Sequence, residues 1–148
     1  MEYSYNEMRT IRDVIRRALE VRTNRGYEYI FWAIDLHDTI IEGKYNRFND
    51  GARIFPFAKE VLDRLYNSNI HRTILWTSSH QDAMDEILKR FDLRFHYINE
   101  NPKCKSDKLC DFSKKFYFNI LLDDKSAFDA STDWEIIKDV LDDYENKG

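Results

Sequence analysis

The chain has 148 residues, a formal net charge of -4 and four glycines and two prolines, with 43% hydrophobic and 34% charged residues. That length suits one packed domain, and the composition excludes collagenous, low-complexity and disordered classes. The acidic balance gives no general pull toward nucleic acid or anionic lipid.

The first segment, from about Ser4 to Asn24, sets Met8, Ile11, Val14, Ile15, Ala18 and Leu19 at helical spacing, with Arg9, Arg12, Arg16 and Arg17 among them. Gly26 is positioned to end that helix. Tyr27 to Leu36 is aromatic and β-branched, and its run Tyr29-Ile30-Phe31-Trp32-Ala33-Ile34 suits a strand buried on both faces, as in parallel sheets. A polar loop from Glu42 to Arg53 leads to Pro56, read as a first-turn residue of a helix bearing Phe57, Val61, Leu62 and Leu65 and closing at Asn67 to Asn69.

Thr73-Ile74-Leu75-Trp76 is a second strand, followed by Ser78 and Ser79 as helix caps and by the stripe Ala83, Met84, Ile87, Leu88 and Phe91. Phe95 to Ile98 is a third strand, and Asn99 to Phe112 a lysine-rich loop. Phe116 to Leu122 is a fourth strand, ending at Asp123 and Asp124. The last helix begins at a capping box, Thr132 with Glu135, and carries Trp134, Ile137, Leu141 and Tyr144 on one face. Trp32, Trp76 and Trp134 occupy core-like positions, and His71, His80 and His96 read as surface or packing residues.

Alternating strand and helix predict an α/β three-layer sandwich around a mainly parallel sheet, with working groups beyond the carboxyl ends of the strands. Asp35, Thr77 and the pair Asp123-Asp124 stand at those ends. Clustered carboxylates repel one another unless a cation neutralises them, and hard oxygen ligands suit Mg²⁺, which commonly bridges to phosphate. Thr77 offers a hydroxyl and the amides of a following helix start, and Lys115 is the lysine best placed by sequence, with Lys114, Lys108, Lys105 and Lys103 near it. Cys104 and Cys110 lack zinc-type spacing and read as reduced thiols.

These residues resemble the haloacid dehalogenase (HAD) superfamily of phosphohydrolases, whose pattern is Asp-x-Asp-x-Thr after a buried strand, a Ser or Thr after the next core strand, a Lys, and a distal acidic pair. Here it reads as Asp35-Leu36-His37-Asp38-Thr39, Thr77, Lys115 and Asp123-Asp124, in family order between about Tyr27 and Tyr144. The likeness is greatest to small members with almost no cap. It implies an αβα HAD-like Rossmannoid core over residues 27–148, with residues 1–26 as an N-terminal helical extension.

The resemblance also implies hydrolysis of a phosphomonoester through an aspartyl-phosphate on Asp35. Mg²⁺ would be held by Asp35, the backbone carbonyl of His37, and Asp124, with Asp123 beside it orienting the lysine and Asp129 as an outer acid. Thr77 would hold a phosphoryl oxygen, and Lys115 the phosphate and Asp35. The sequence departs from the family at His37, where an acid/base Asp is usual, and at Asp38, where Gly is usual. Imidazole can itself transfer protons, so two readings stand: a working phosphatase using His37, or an impaired metal- and phosphate-binding domain that acts through protein contacts. A phosphorylated small molecule or macromolecule is the expected partner, and nucleic acid is not favoured by charge. With no apolar membrane span or leader visible, the chain reads as soluble and cytoplasmic. The N-terminal helix offers arginines and an apolar face for self-association or packing on its own domain.

Overall fold

The computed structural model describes residues 10–147. Helix α1 (Ile11–Arg25) starts at Thr10, whose side chain and Asp13 form a reciprocal cap, and it ends at Gly26 in the left-handed conformation (φ 68°). The expected stretch from Ser4 to Met8 lies outside the described residues. Strand β1 (Ile30–Asp35) is followed by α2 (Ala58–Asn67), β2 (His71–Trp76), α3 (Gln81–Arg90), the short β3 (Tyr97–Ile98), β4 (Ile120–Leu122) and α4 (Asp133–Lys147).

The sheet is parallel throughout its named pairs, in the order β3-β2-β1-β4. Chain order runs outward from β1 to β3 on one side, and β4 then joins β1 on the other. The carboxyl ends of β1 and β4 therefore flank the point where strand order reverses, where an open α/β sheet presents a crevice.

Strand alternation divides the interior in two. Trp32, Ile34, Leu75, Ile120 and Leu122 face one large core that also takes Ile15 and Leu19 of α1, Val61, Leu62 and Leu65 of α2, Met84 and Ile87 of α3, and Trp134, Ile137, Val140 and Leu141 of α4. Each such fully buried Leu or Ile contributes about 1.5–3 kcal/mol. The apolar face of α1 is thus occupied by the protein's own core, chiefly against α4. Phe31, Ala33, Ile74 and Phe116 form a smaller cluster on the opposite face, packed by Tyr29, Tyr97, Cys104, Tyr117, Phe118 and Leu121. Of these, Phe116, Cys104, Tyr117 and Phe118 come from irregular chain between β3 and β4. The arrangement is compatible with a three-layer sandwich in which that irregular segment supplies the third layer.

Several elements differ from their sequence expectation. Pro56 precedes the helix and occupies a tight turn closed by Ala58 N–H to Phe55 C=O (3.2 Å), which forces Phe57 to φ 66°. Its fixed φ suits that turn as well as a helix start. His80, and neither Ser78 nor Ser79, is the residue before α3. The fourth strand begins only at Ile120, because Asn119 uses its side-chain oxygen to take the Phe31 N–H (2.8 Å) and Phe116 turns onto the second face.

Trp32 and Trp134 are fully buried as expected, but Trp76 is 44% exposed and Tyr144 is also exposed, with Val140 filling the core in its stead. His71 is buried and accepts from the Trp32 indole (2.9 Å); burial and neighbouring arginines push its pKa down to about 3, so it packs as a neutral ring. Cys104 and Cys110 are both free thiols. No helix among the described residues is long and apolar enough to cross a membrane.

Candidate functional site

Asp35 ends β1, and Asp123 and Asp124 follow β4 directly, so the parallel pairing of those strands delivers all three carboxylates to one crevice. One ligand oxygen from each lies within 4.8 Å of the others. Like charges this close oppose ionisation. Burial, then the charge of Asp123, pushes the Asp35 pKa up to about 6; hydrogen bonding and charge from Asp124 add to the rise, while the Leu36 N–H works against it.

Thr39 locks the two strand ends together. It is fully buried, and its hydroxyl donates to Asp35 Oδ2 (3.3 Å) while accepting from the Asp124 N–H (3.1 Å). Its carbonyl accepts from the indole of buried Trp134 (2.7 Å), which fixes the loop to α4. Asp123 accepts from the Lys125 N–H (3.0 Å) and starts the 3-10 turn Asp124–Ser126. Replacing Thr39 with Val keeps the volume but leaves the partly buried Asp124 N–H without its hydroxyl acceptor. We expect a stability loss of about 1–3 kcal/mol by chemical denaturation, and looser carboxylates that lower any activity of the site before they abolish folding.

His37 is half-buried and pairs through its backbone with Ile41. Its imidazole is not among the side chains that converge with Asp35, so any ion contact from this position falls to the backbone. Asp38 takes a positive φ of 59°, the conformation that glycine adopts without strain. Its carboxylate accepts from the Gly43 N–H (2.8 Å), and a Cβ on Gly43 would fall 2.8 Å from Asp38 Oδ2. Asp38 therefore braces the loop, which argues against giving it the acid role.

That loop is a short, tied excursion. Residues 40–42 pair with 53–55, Asn49 closes the interior through Lys44 N–H and Glu42 C=O, and Arg90 of α3 holds the Asn49 carbonyl (3.0 Å). Such a segment leaves the mouth of the crevice uncapped.

Thr77 follows Trp76, the register partner of Asp35. Its backbone is clamped on both sides by the Asn99 amide, which accepts from Thr77 N–H and donates to Thr77 C=O, both at 2.9 Å. Its hydroxyl donates to Ser79 Oγ (3.0 Å) and accepts from Ser79 N–H (3.2 Å). Lys115 is exposed, with Nζ 5.9 Å from the Phe118 ring centroid, and it lines a cavity together with Lys114. Both lysines thus flank the same hollow, and the structure brings neither into hydrogen-bond contact with Asp35.

The Asp129 carboxylate accepts from the Ser131 N–H and hydroxyl, which hold it below the usual range. Its visible work is to shape the turn before α4. The ties from Thr39 and Asn99 escape sequence reading because their partners lie 85 and 22 residues away.

No family model, no curated protein and no solved structure matches this chain.

Proposed function

We propose that this protein is a Mg²⁺-dependent phosphohydrolase of the HAD type, acting on a phosphomonoester through an aspartyl-phosphate on Asp35. The observation that carries the reading is the convergence of Asp35, Asp123 and Asp124 at the switch point of the sheet, with the Asp35 pKa raised by burial and then by its neighbours. All donors are hard oxygens, and a divalent cation would offset both the burial of the Asp35 charge and its repulsion by Asp123 and Asp124, so the set fits Mg²⁺. Asp35, Asp124 and the His37 carbonyl would hold it, with Asp123 alongside. Bound there, the ion would supply charge neutralisation between an attacking carboxylate and a phosphate dianion.

The side chains divide the remaining work. An Asp35 oxygen forms a bond to phosphorus as the ester P–O bond breaks, and the departing oxygen takes a proton. Water then attacks the same phosphorus, releasing inorganic phosphate and restoring the carboxylate. Thr39 holds Asp35 in place for both displacements. Thr77 would offer its hydroxyl to a phosphoryl oxygen, exchanging its bond to Ser79, and Lys115 or Lys114 would balance charge on the equatorial oxygens. His37 would protonate the leaving group and later activate water.

The departures at His37 and Asp38 favour one second reading, a metal- and phosphate-binding domain with impaired turnover that works through protein contacts. Phosphate release from p-nitrophenyl phosphate separates the two. We expect turnover with Mg²⁺ that chelator abolishes; Mg²⁺ binding without turnover on aryl or alkyl phosphates would move the conclusion to the second reading.

A further inference from the structure

Period-two alternation places Asp35 on the same sheet face as Phe31 and Ala33, and Asp123 on the same face as Leu121. Trp76 shares that face with Ile74, and its ring meets Phe116 edge-on at 5.2 Å between centroids. This is the side covered by irregular chain, and there a cavity of about 230 Å³ is lined by Ala33, Trp76, Lys114, Lys115, Phe116 and Phe118, with Leu121. Ala33 and Leu121 lie two residues before Asp35 and Asp123, about 6.6 Å down the strands. None of the three carboxylates lines the hollow itself; it begins one pleat repeat below Asp35 and Asp123 on the same sheet face.

Its walls are aromatic. Phe116 meets Phe118 at 6.0 Å as well as Trp76, and Trp76 leaves 44% of its surface to solvent although it sits on a central strand. The volume is below that of a site for a whole drug-sized ligand and accommodates one ring system. Lys114 and Lys115 add positive charge beside it, complementary to a phosphate drawn toward Asp35.

We infer that this cavity receives a planar aromatic group carried by the phosphomonoester, stacked on Trp76, while Lys114 and Lys115 hold its phosphate. The inference deepens the phosphohydrolase reading and rests on it. The shared chemistry is an aromatic ring within reach of the phosphoryl group, and its source is a nucleotide base or the ring of an aryl ester.

Trp76 is the tryptophan a ligand can touch, since Trp32 and Trp134 are fully buried, so the ligand-dependent change in emission reports on this site. Asp35→Asn protein with Mg²⁺, which cannot turn over, is titrated with AMP, phenyl phosphate and glycerol 3-phosphate. We expect AMP or phenyl phosphate to quench the emission, with half-saturation about 10-fold lower than glycerol 3-phosphate needs to compete. Trp76→Leu in the same background should remove the response, and Trp76→Phe, titrated by calorimetry because it lacks the reporter, should keep the preference for a ring. Quenching by AMP alone assigns the ring to a nucleotide, and by phenyl phosphate alone to an aryl ester. No quenching by either, or equal binding of the aliphatic ester, overturns the inference.

The two readings fail separately. Ring-selective quenching with no phosphate release by wild type on any of the three esters overturns the phosphohydrolase and leaves the aromatic pocket. Metal-dependent release at equal kcat/KM from all three esters overturns the pocket and leaves the phosphohydrolase.

Discussion

Replacing Asp35 with Asn is expected to lower phosphate release by on the order of 10⁴-fold and to raise the thermal stability of the ion-free protein at neutral pH. The two effects share one cause. The carboxylate proposed to attack phosphorus is also the one half-buried beside Asp123 and Asp124, and burial first, then those neighbours, raise its pKa from 3.8 to about 6 in the folded chain. A group whose folded pKa exceeds its unfolded one binds its proton more tightly when folded. Its stabilising contribution is complete below pH 3.8 and is lost as pH rises through 6.

Asn carries no such charge, so the gap between variant and wild type should be small near pH 4, open up to pH 6 and stay level above it. With the shift discounted for the solvent that reaches this half-buried group, the gap is roughly 1–2 kcal/mol, or about 3–6 °C in Tm. Mg²⁺ at neutral pH should raise the wild-type Tm and narrow the gap. Thermal melts across pH 4 to 8, with and without the ion, check all three statements, and an Asn variant less stable than wild type at neutral pH would refute the account.

Much of this architecture is legible in the residues because it depends on local pattern. The apolar run from Ile30 to Ile34 reads as a doubly buried parallel strand, and it is one. Gly26 reads as a helix end, and its φ of 68° agrees. The placing of Asp35 and Asp123-Asp124 at one edge follows from the parallel direction of the strands that bear them.

What escapes depends on which chain lies over which face. Trp76 closes an apolar run and reads as core, yet it lies at the mouth of the second face, where the cover reaches it only edge-on through Phe116 and leaves it 44% exposed. Phe116 and Phe118 read as strand because they are aromatic, whereas they serve as the cover itself, and strand pairing waits until Ile120. Thr39 is visible within the acidic motif, but its tie to Asp124, 85 residues away, needs the ends of β1 and β4 brought together. Side-chain bonds between distant strand ends leave no periodic trace.

His37 is the residue on which the choice between catalysis and binding turns. The Asp38 carboxylate is committed to the Gly43 N–H and that of Asp129 to Ser131, so under the proposed mechanism proton transfer falls to His37, two residues after Asp35 in the chain. For an alkyl phosphate, whose alkoxide cannot depart without a proton, His37→Ala is expected to cut kcat by about 10²–10⁴-fold. For p-nitrophenyl phosphate, whose leaving group departs as a stable anion, the same variant should lose far less in the first displacement.

A half-buried side chain outside the core makes His37→Ala a mild change for folding, within about 1 kcal/mol by denaturant melts, so a leaving-group-dependent loss cannot be assigned to instability. His37→Gln should behave as the Ala variant does, since it keeps polarity and size but cannot give up a proton. His37→Asp should retain turnover. A wild type without turnover and a His37→Asp variant that gains it by a comparable factor would reverse the conclusion: the histidine would then be what silences a site otherwise built for phosphoryl transfer, and the protein would act by holding its ligand.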